Sequence, residues 1–207
     1  GMNSPAIAFA GYCGALLHTL NHSLFKSLLF FTAGTGYRRA HTLYIEELGG
    51  LAKKMPYTAF MFLIAALAIT GLPPFNGFIS EFLIYSGLFK SLSNNNLLLS
   101  FVLLGGIVSL VIIGGLAVYC FTKVFSIIFL GNPRSKMTEK AHEVSNDMLI
   151  PKYLISILIV AIGMMPFIIM GPLSSVTNEL VGDTTMLSKT SISLNCARAG
   201  IRYCRRM

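Results

Sequence analysis

The sequence predicts an all-α fold, a polytopic transmembrane helix bundle with one discontinuous helix, on three observations. Hydrophobic residues make up 54% of the chain and charged residues 12%, with a mean hydropathy of +0.70, whereas soluble domains carry about 25% charged residues. The apolar runs have helical length and lack the alternating ten-residue pattern of membrane strands. Helices are then the spanning elements, because a helix satisfies its own backbone groups where no water is present. Finally, two apolar runs flank Gly71-Leu72-Pro73-Pro74-Phe75-Asn76-Gly77, a sequence that breaks one helix near its middle.

Residues 5–36 read as the first helix, with Gly11 and Gly14 as candidate breaks. His18, His22 and Lys26 recur within it at steps of four. Each step advances about 40° and rises roughly 6 Å, so the three form a file about 12 Å long on one face. Residues 6–17 and 27–36 carry no charge, which sets the file inside a bilayer. Ionisable groups there are costly and mark proton or ion pathways. Arg38, Arg39, His41, Glu46, Glu47, Lys53 and Lys54 follow in a polar loop that ends at Met55-Pro56.

The next span covers 57–91 and is broken at 71–77. Neither of its apolar runs alone reaches the ~20 residues that a crossing requires. Pro73 and Pro74 remove backbone donors and Gly71 and Gly77 permit turns, so the middle unwinds. Broken helices of this kind are where transporters place ion sites, and Glu81 opens the second half-helix. The competing reading is two short helices joined by a loop outside the membrane, with Glu81 near an interface.

Residues 97–130 form a long tilted span, 131–146 a charged loop, and 150–170 the last span, with Pro166 near its end. Together, 1–172 constitute the bundle and 173–207 a polar, poorly ordered tail that holds Cys196, Cys204 and the terminal arginines. Most cations lie in the loops at 38–54 and 131–149 or beside them at Lys123 and Lys152. The positive-inside rule places both loops on the cytoplasmic side.

These features narrow the function classes. The net charge of +8 is concentrated at the ends of apolar runs and not on a basic face interleaved with aromatics, which excludes nucleic acid as a partner in favour of the lipid bilayer. Cys13, Cys120, Cys196 and Cys204 lack metal-binding spacing. His18-x-x-x-His22 has a zinc-like spacing, yet Thr19 stands where the zinc helix carries Glu and no third ligand is evident, so no metal is assigned. No flavin, nickel or cluster motif occurs, so no cofactor and no catalytic site are assigned.

Lysine and glutamate titrate nearer neutrality in a low-dielectric site and histidine already titrates there, which suits His18, His22, Lys26 and Glu81 to proton exchange. Thr19, Ser23, Ser27 and Ser80 are available to hold water between them, although membrane hydroxyls often bond their own backbone. An ionised Lys26 and Glu81 at mid-bilayer would cost about 2.5–3.5 kcal/mol each, so a wet cavity, neutralisation or a purely architectural Lys26–Glu81 pair is required.

Residues 15–36, with His18, His22 and Lys26, strongly resemble the antiporter-like proton-pumping subunits shared by respiratory complex I, Mrp-type sodium/proton antiporters and group 4 membrane-bound hydrogenases. Two further motifs match in the same order: Glu47-Leu48-Gly49-Gly50-Leu51-Ala52-Lys53-Lys54-Met55-Pro56, and Gly71-Leu72-Pro73-Pro74-Phe75-Asn76-Gly77-Phe78-Ile79-Ser80-Glu81. Glu81 with Phe82 and Leu83 looks most like the hydrogenase-4 or formate hydrogenlyase type. The match covers roughly 5–130 and resembles the carboxy-terminal portion of such a subunit, without the earlier repeat.

The resemblance implies that His18, His22 and Lys26 lie on a central hydrophilic axis and that Glu81 stands at the exit side of a proton path. It implies a proton-translocating subunit, or a fragment of one, in a redox-driven NADH:quinone oxidoreductase-like or hydrogenase-like complex of the inner (cytoplasmic) membrane. Other membrane subunits would be its partners and would carry the redox chemistry. A structural anchor without transport and a sodium/proton antiporter subunit are the alternative expectations.

Overall fold

In the computed structural model, residues 5–92 and 97–181 are described, and among them the secondary structure is helical throughout. Helix α1 runs unbroken from Pro5–Ala40, roughly 54 Å at 1.5 Å per residue. The sequence reading ends this helix at residue 36 and allows a break at Gly11 or Gly14. Instead it continues through Arg38 and Arg39, which occupy its last turn, where cations complement the helix dipole. It stops at His41, which takes the left-handed conformation (φ 54°) and returns its amide to the Tyr37 carbonyl at 2.8 Å, an αL C-terminal cap. Gly14 serves packing: a Cβ there would meet Ile84 Cγ1 at 3.0 Å and the Ile84 nitrogen at 3.2 Å.

A 3-10 turn at Ile45–Glu47 and the short α2 (Leu51–Lys54) lead into α3 (Pro56–Ile69). Proline at the first position suits a helix start, because its missing N–H would be unpaired there in any case. Helix α4 (Asn76–Ser91) follows a non-helical segment at 70–75. The expected break is present, and it is shorter than 71–77 because Gly77 already belongs to α4. Gly71 adopts a left-handed φ of 66° and the Pro73–Pro74 peptide is cis.

Helix α5 (Leu97–Phe129) is the longest apolar helix and packs near both ends: Leu103 and Ile107 are buried in its first third, and in its last turns Phe125 and Phe129 stack at 5.3 Å and Phe129 meets Phe62 at 5.1 Å. Much of its remaining surface, including Phe101, Val108, Ile112 and Leu116, is exposed, as expected for a helix that faces lipid or a neighbouring subunit. The charged loop contains one short helix, α6 (Lys136–Lys140), capped by Ser135.

The last expected span, 150–170, is two helices: α7 (Asn146–Met164) and α8 (Phe167–Val181). Pro166 explains the division. It has no amide to donate, and it drives Met165 out of the helical region (φ −128°, ψ 63°). Helix α8 also corrects the expected tail, since residues 173–181 are helical and bury Ser174, Thr177 and Asn178. The remainder of that tail, 182–207, lies outside the described residues, as does the turn at 93–96.

Helix α1 is the centre of the bundle and packs on α4, α3, α7 and α8, with α4 its most extensive partner. One core joins Phe25, Leu28, Met55, Met61, Ala65 and Ile159 across α1, α3 and α7; a second joins Cys13, Leu17 and Met170. Among the described residues, α5 and α7 are long and apolar enough to cross a membrane, and α3 is apolar but shorter. Helices α3 and α4 follow one another in the chain, each too short alone for a crossing of ~20 residues.

Candidate functional site

Three contacts set the register of α1 against α4: Gly14 on Ile84, His18 on Ser80, and Asn21 on Asn76. The chain numbers rise on one helix as they fall on the other, so the two run antiparallel. His18 Nδ1 lies 3.1 Å from Ser80 Oγ. The Ser80 oxygen is also 2.9 Å from the Gly77 carbonyl; when its hydroxyl donates there, its oxygen accepts from His18 and the proton of that imidazole sits on Nδ1. The other ring nitrogen keeps its lone pair. One turn further along α1, Asn21 Nδ2 donates to the Asn76 carbonyl at 2.8 Å and Asn76 Nδ2 donates to Asn21 Oδ1 at 3.1 Å, with both residues 0% exposed.

Glu81 is half-buried one residue beyond Ser80, and a Cβ on Gly71 would strike its carboxylate. The break therefore wraps the acid with backbone that only glycine allows. Gly77 is equally tight, since a Cβ there would collide with the Ala68 carbonyl. From the opposite side, Gly163 of α7 lies against the Pro74 carbonyl, and a Cβ would approach Phe75 C at 2.7 Å and Asn76 N at 2.8 Å.

The structure brings the predicted residues together unevenly. His18 and His22 have ring centroids 6.1 Å apart, and His22 meets Phe25 edge-on at 5.3 Å. The three are not equally covered: His18 and Lys26 are half-buried, and His22 between them is exposed. Each step of four falls about 40° ahead of the last, so a straight file cannot stay on one contact line. No ion pair joins Lys26 to Glu81, so the architectural pair considered above is not formed. Of the hydroxyls, Thr19 donates to Ala15 and Ser23 to Leu20, on their own helix, whereas Ser80 also bonds a site side chain.

One charged residue has a different place from that expected. Sequence position sets Lys152 among the cations beside a loop, yet it is 1% exposed and reaches from α7 in between α1 and α3. Its Nζ donates to Thr35 Oγ1 at 3.0 Å and to Thr58 Oγ1 at 3.2 Å. Thr58 Oγ1 in turn donates to Glu143 Oε1 at 2.7 Å. The other Glu143 oxygen accepts the amides of Tyr57 at 3.0 Å and Thr58 at 3.2 Å, which caps α3, whose own N-cap Met55 has no oxygen to offer. Position is the signal for it: Lys152 lies two residues inside the apolar run 150–170.

A helical bundle with a broken helix, bonded to a neighbouring helix that carries a file of titratable groups, defines an antiporter-like membrane subunit fold. The chain belongs to the NADH:quinone oxidoreductase/Mrp antiporter transmembrane family, whose pattern matches residues 3–109. Over 163 residues it is 44% identical to hydrogenase-4 component B of Escherichia coli (strain K12), covering 79% of this chain and 24% of that protein. It is also 34% identical over 185 residues to Na(+)/H(+) antiporter subunit A1 of Staphylococcus saprophyticus, covering 86% of this chain and 22% of the relative. The chain thus spans about a quarter of the length of these relatives. The structure of the Mrp complex from Dietzia sp. DQ12-45-1b superposes with a TM-score of 0.70 at 18% identity, over 90% of this chain and 40% of that one, which shows a shared fold.

Proposed function

We propose that the chain is the proton-translocating part of a membrane subunit in a redox-driven complex, with His18, His22 and Lys26 passing protons to Glu81. The observation that carries this reading is the 3.1 Å bond from His18 to Ser80, which joins the file to the residue immediately before Glu81. His18 keeps one ring nitrogen free to take a proton while the other is anchored, the arrangement a relay histidine needs. Glu81 sits against the unwound break, where an acid reaches water more readily than within a continuous helix. The energy source resides in partner subunits of a hydrogenase-like or quinone-reductase-like assembly in the cytoplasmic membrane, because no redox motif occurs in this chain.

Proteoliposomes that hold the assembled complex test the reading. Lys26→Met and Glu81→Gln should each abolish redox-driven acidification or alkalinisation reported by an internal pH dye; undiminished pumping by both sinks it. A sodium-coupled version draws support from the similarity to Na(+)/H(+) antiporter subunit A1. Sodium movement that tracks turnover and disappears in Glu81→Gln would favour it over proton movement alone.

A further inference from the structure

We infer that Lys152, Thr58 and Glu143 form a second proton site, a port through which the buried lysine exchanges its proton with water on the loop side of the bundle. The inference rests on the proposed function, to which it adds residues on the face of α1 opposite the His18–Lys26 file. Thr35, which holds Lys152, lies nine residues beyond Lys26, which on a helix is half a turn out of phase and roughly 13 Å along the axis.

The hydrogen bonds run head to tail. Lys152 donates to Thr58 at 3.2 Å and Thr58 donates to Glu143 at 2.7 Å. The other partner, Thr35, is a dead end, since its hydroxyl proton is given to the Phe31 carbonyl at 2.7 Å. Thr35 therefore anchors the ammonium while Thr58 conducts. Transfer breaks one N–H bond of the Lys152 ammonium and forms an O–H bond on Thr58; at the same moment the original Thr58 O–H breaks and a new O–H forms on Glu143 Oε1. Lysine is left as a neutral amine and Glu143 as a neutral acid. Glu143 also accepts the amides of Tyr57, Thr58 and Val144, which hold its carboxylate in place, and it is half-exposed, so a proton received there can pass to water. Nearby Arg39, which donates to the Glu143 carbonyl at 3.1 Å, cannot take up or release a proton in this range.

The alternative is that the cluster is an ion-pair latch, and Lys152→Arg separates the two. Arginine keeps the charge and the donors but does not release its proton. Proton flux per assembled complex, measured in proteoliposomes, should fall at least tenfold in Lys152→Arg and Thr58→Val, whereas Thr58→Ser should retain at least half. Parental flux in Lys152→Arg or in Thr58→Val overturns the inference. If those variants fail to assemble, Glu143→Gln decides: its amide oxygen still caps α3 but no longer accepts a proton, and parental flux there overturns the port. Lys26→Met measured alongside keeps the readings apart. Flux lost there but parental in Thr58→Val defeats the port alone; the reverse pattern supports the port and defeats the proposed function.

Discussion

His18 Nδ1 and Ser80 Oγ meet at 3.1 Å, so the first histidine of the α1 file, and not its lysine, is what touches the helix carrying Glu81. Sequence order alone suggests the reverse, with Lys26 as the last carrier before the acid. The antiparallel register places Lys26 beyond the start of α4, alongside the break, and places His18 level with Ser80.

Removing that contact should slow transport without unfolding the bundle. A hydrogen bond contributes about 0.5–1.5 kcal/mol net, so Ser80→Ala should lower proton flux roughly two- to tenfold, and Ser80→Thr should restore most of it. Flux in proteoliposomes, normalised to assembled complex, checks this.

The glycines at the break should tolerate no side chain. Gly77→Ala meets the Ala68 carbonyl and Gly163→Ala meets Pro74 and Phe75, so each should destabilise by about 1–3 kcal/mol through overpacking. Gly34→Ala is the control, because nothing lies within 4 Å of its Cβ position and alanine favours a helix interior by roughly 0.5–1 kcal/mol. Denaturant titrations followed by circular dichroism should rank Gly34→Ala above the parent and the other two below it.

Asn21 and Asn76 hold α1 to the start of α4 through two reciprocal bonds. Asn21→Leu leaves the buried Asn76 carbonyl and side-chain amide without their partner, at a cost of about 1–3 kcal/mol for each unsatisfied group. The same denaturant titration reads the loss, and an unchanged midpoint would contradict it.

Glu143 caps a helix from a distant part of the chain. Glu143→Ala should expose the amides of Tyr57 and Thr58 and weaken α3 by about 0.5–2 kcal/mol, the usual value of an N-terminal cap. Hydrogen exchange should quicken at those two amides and stay unchanged at Ala65, which lies in the middle of the same helix.

The helical class, the discontinuity before Glu81 and the His18, His22, Lys26 file were legible in the sequence because each depends on neighbours a few residues apart. Run length decides whether a helix can span, Gly71, Pro73 and Pro74 decide where it cannot continue, and a step of four places side chains on one face. The polar composition of residues 173–181 misled because Ser174 and Thr177 return their hydroxyls to the Gly171 and Leu173 carbonyls of their own helix, which lets both be buried in the bundle. Lys152 shows the same limit more sharply. Local sequence makes it one cation among several near a loop, yet Thr35 and Thr58, 117 and 94 residues away, bury it. The sequence by itself determined that the chain is helical and that its backbone breaks before Glu81, since those follow from local backbone sterics and the need to satisfy hydrogen bonds without water. Which charges are buried, which face of α1 is covered and which residue meets Ser80 were decided by tertiary structure, because burial depends on contacts between helices far apart in the chain.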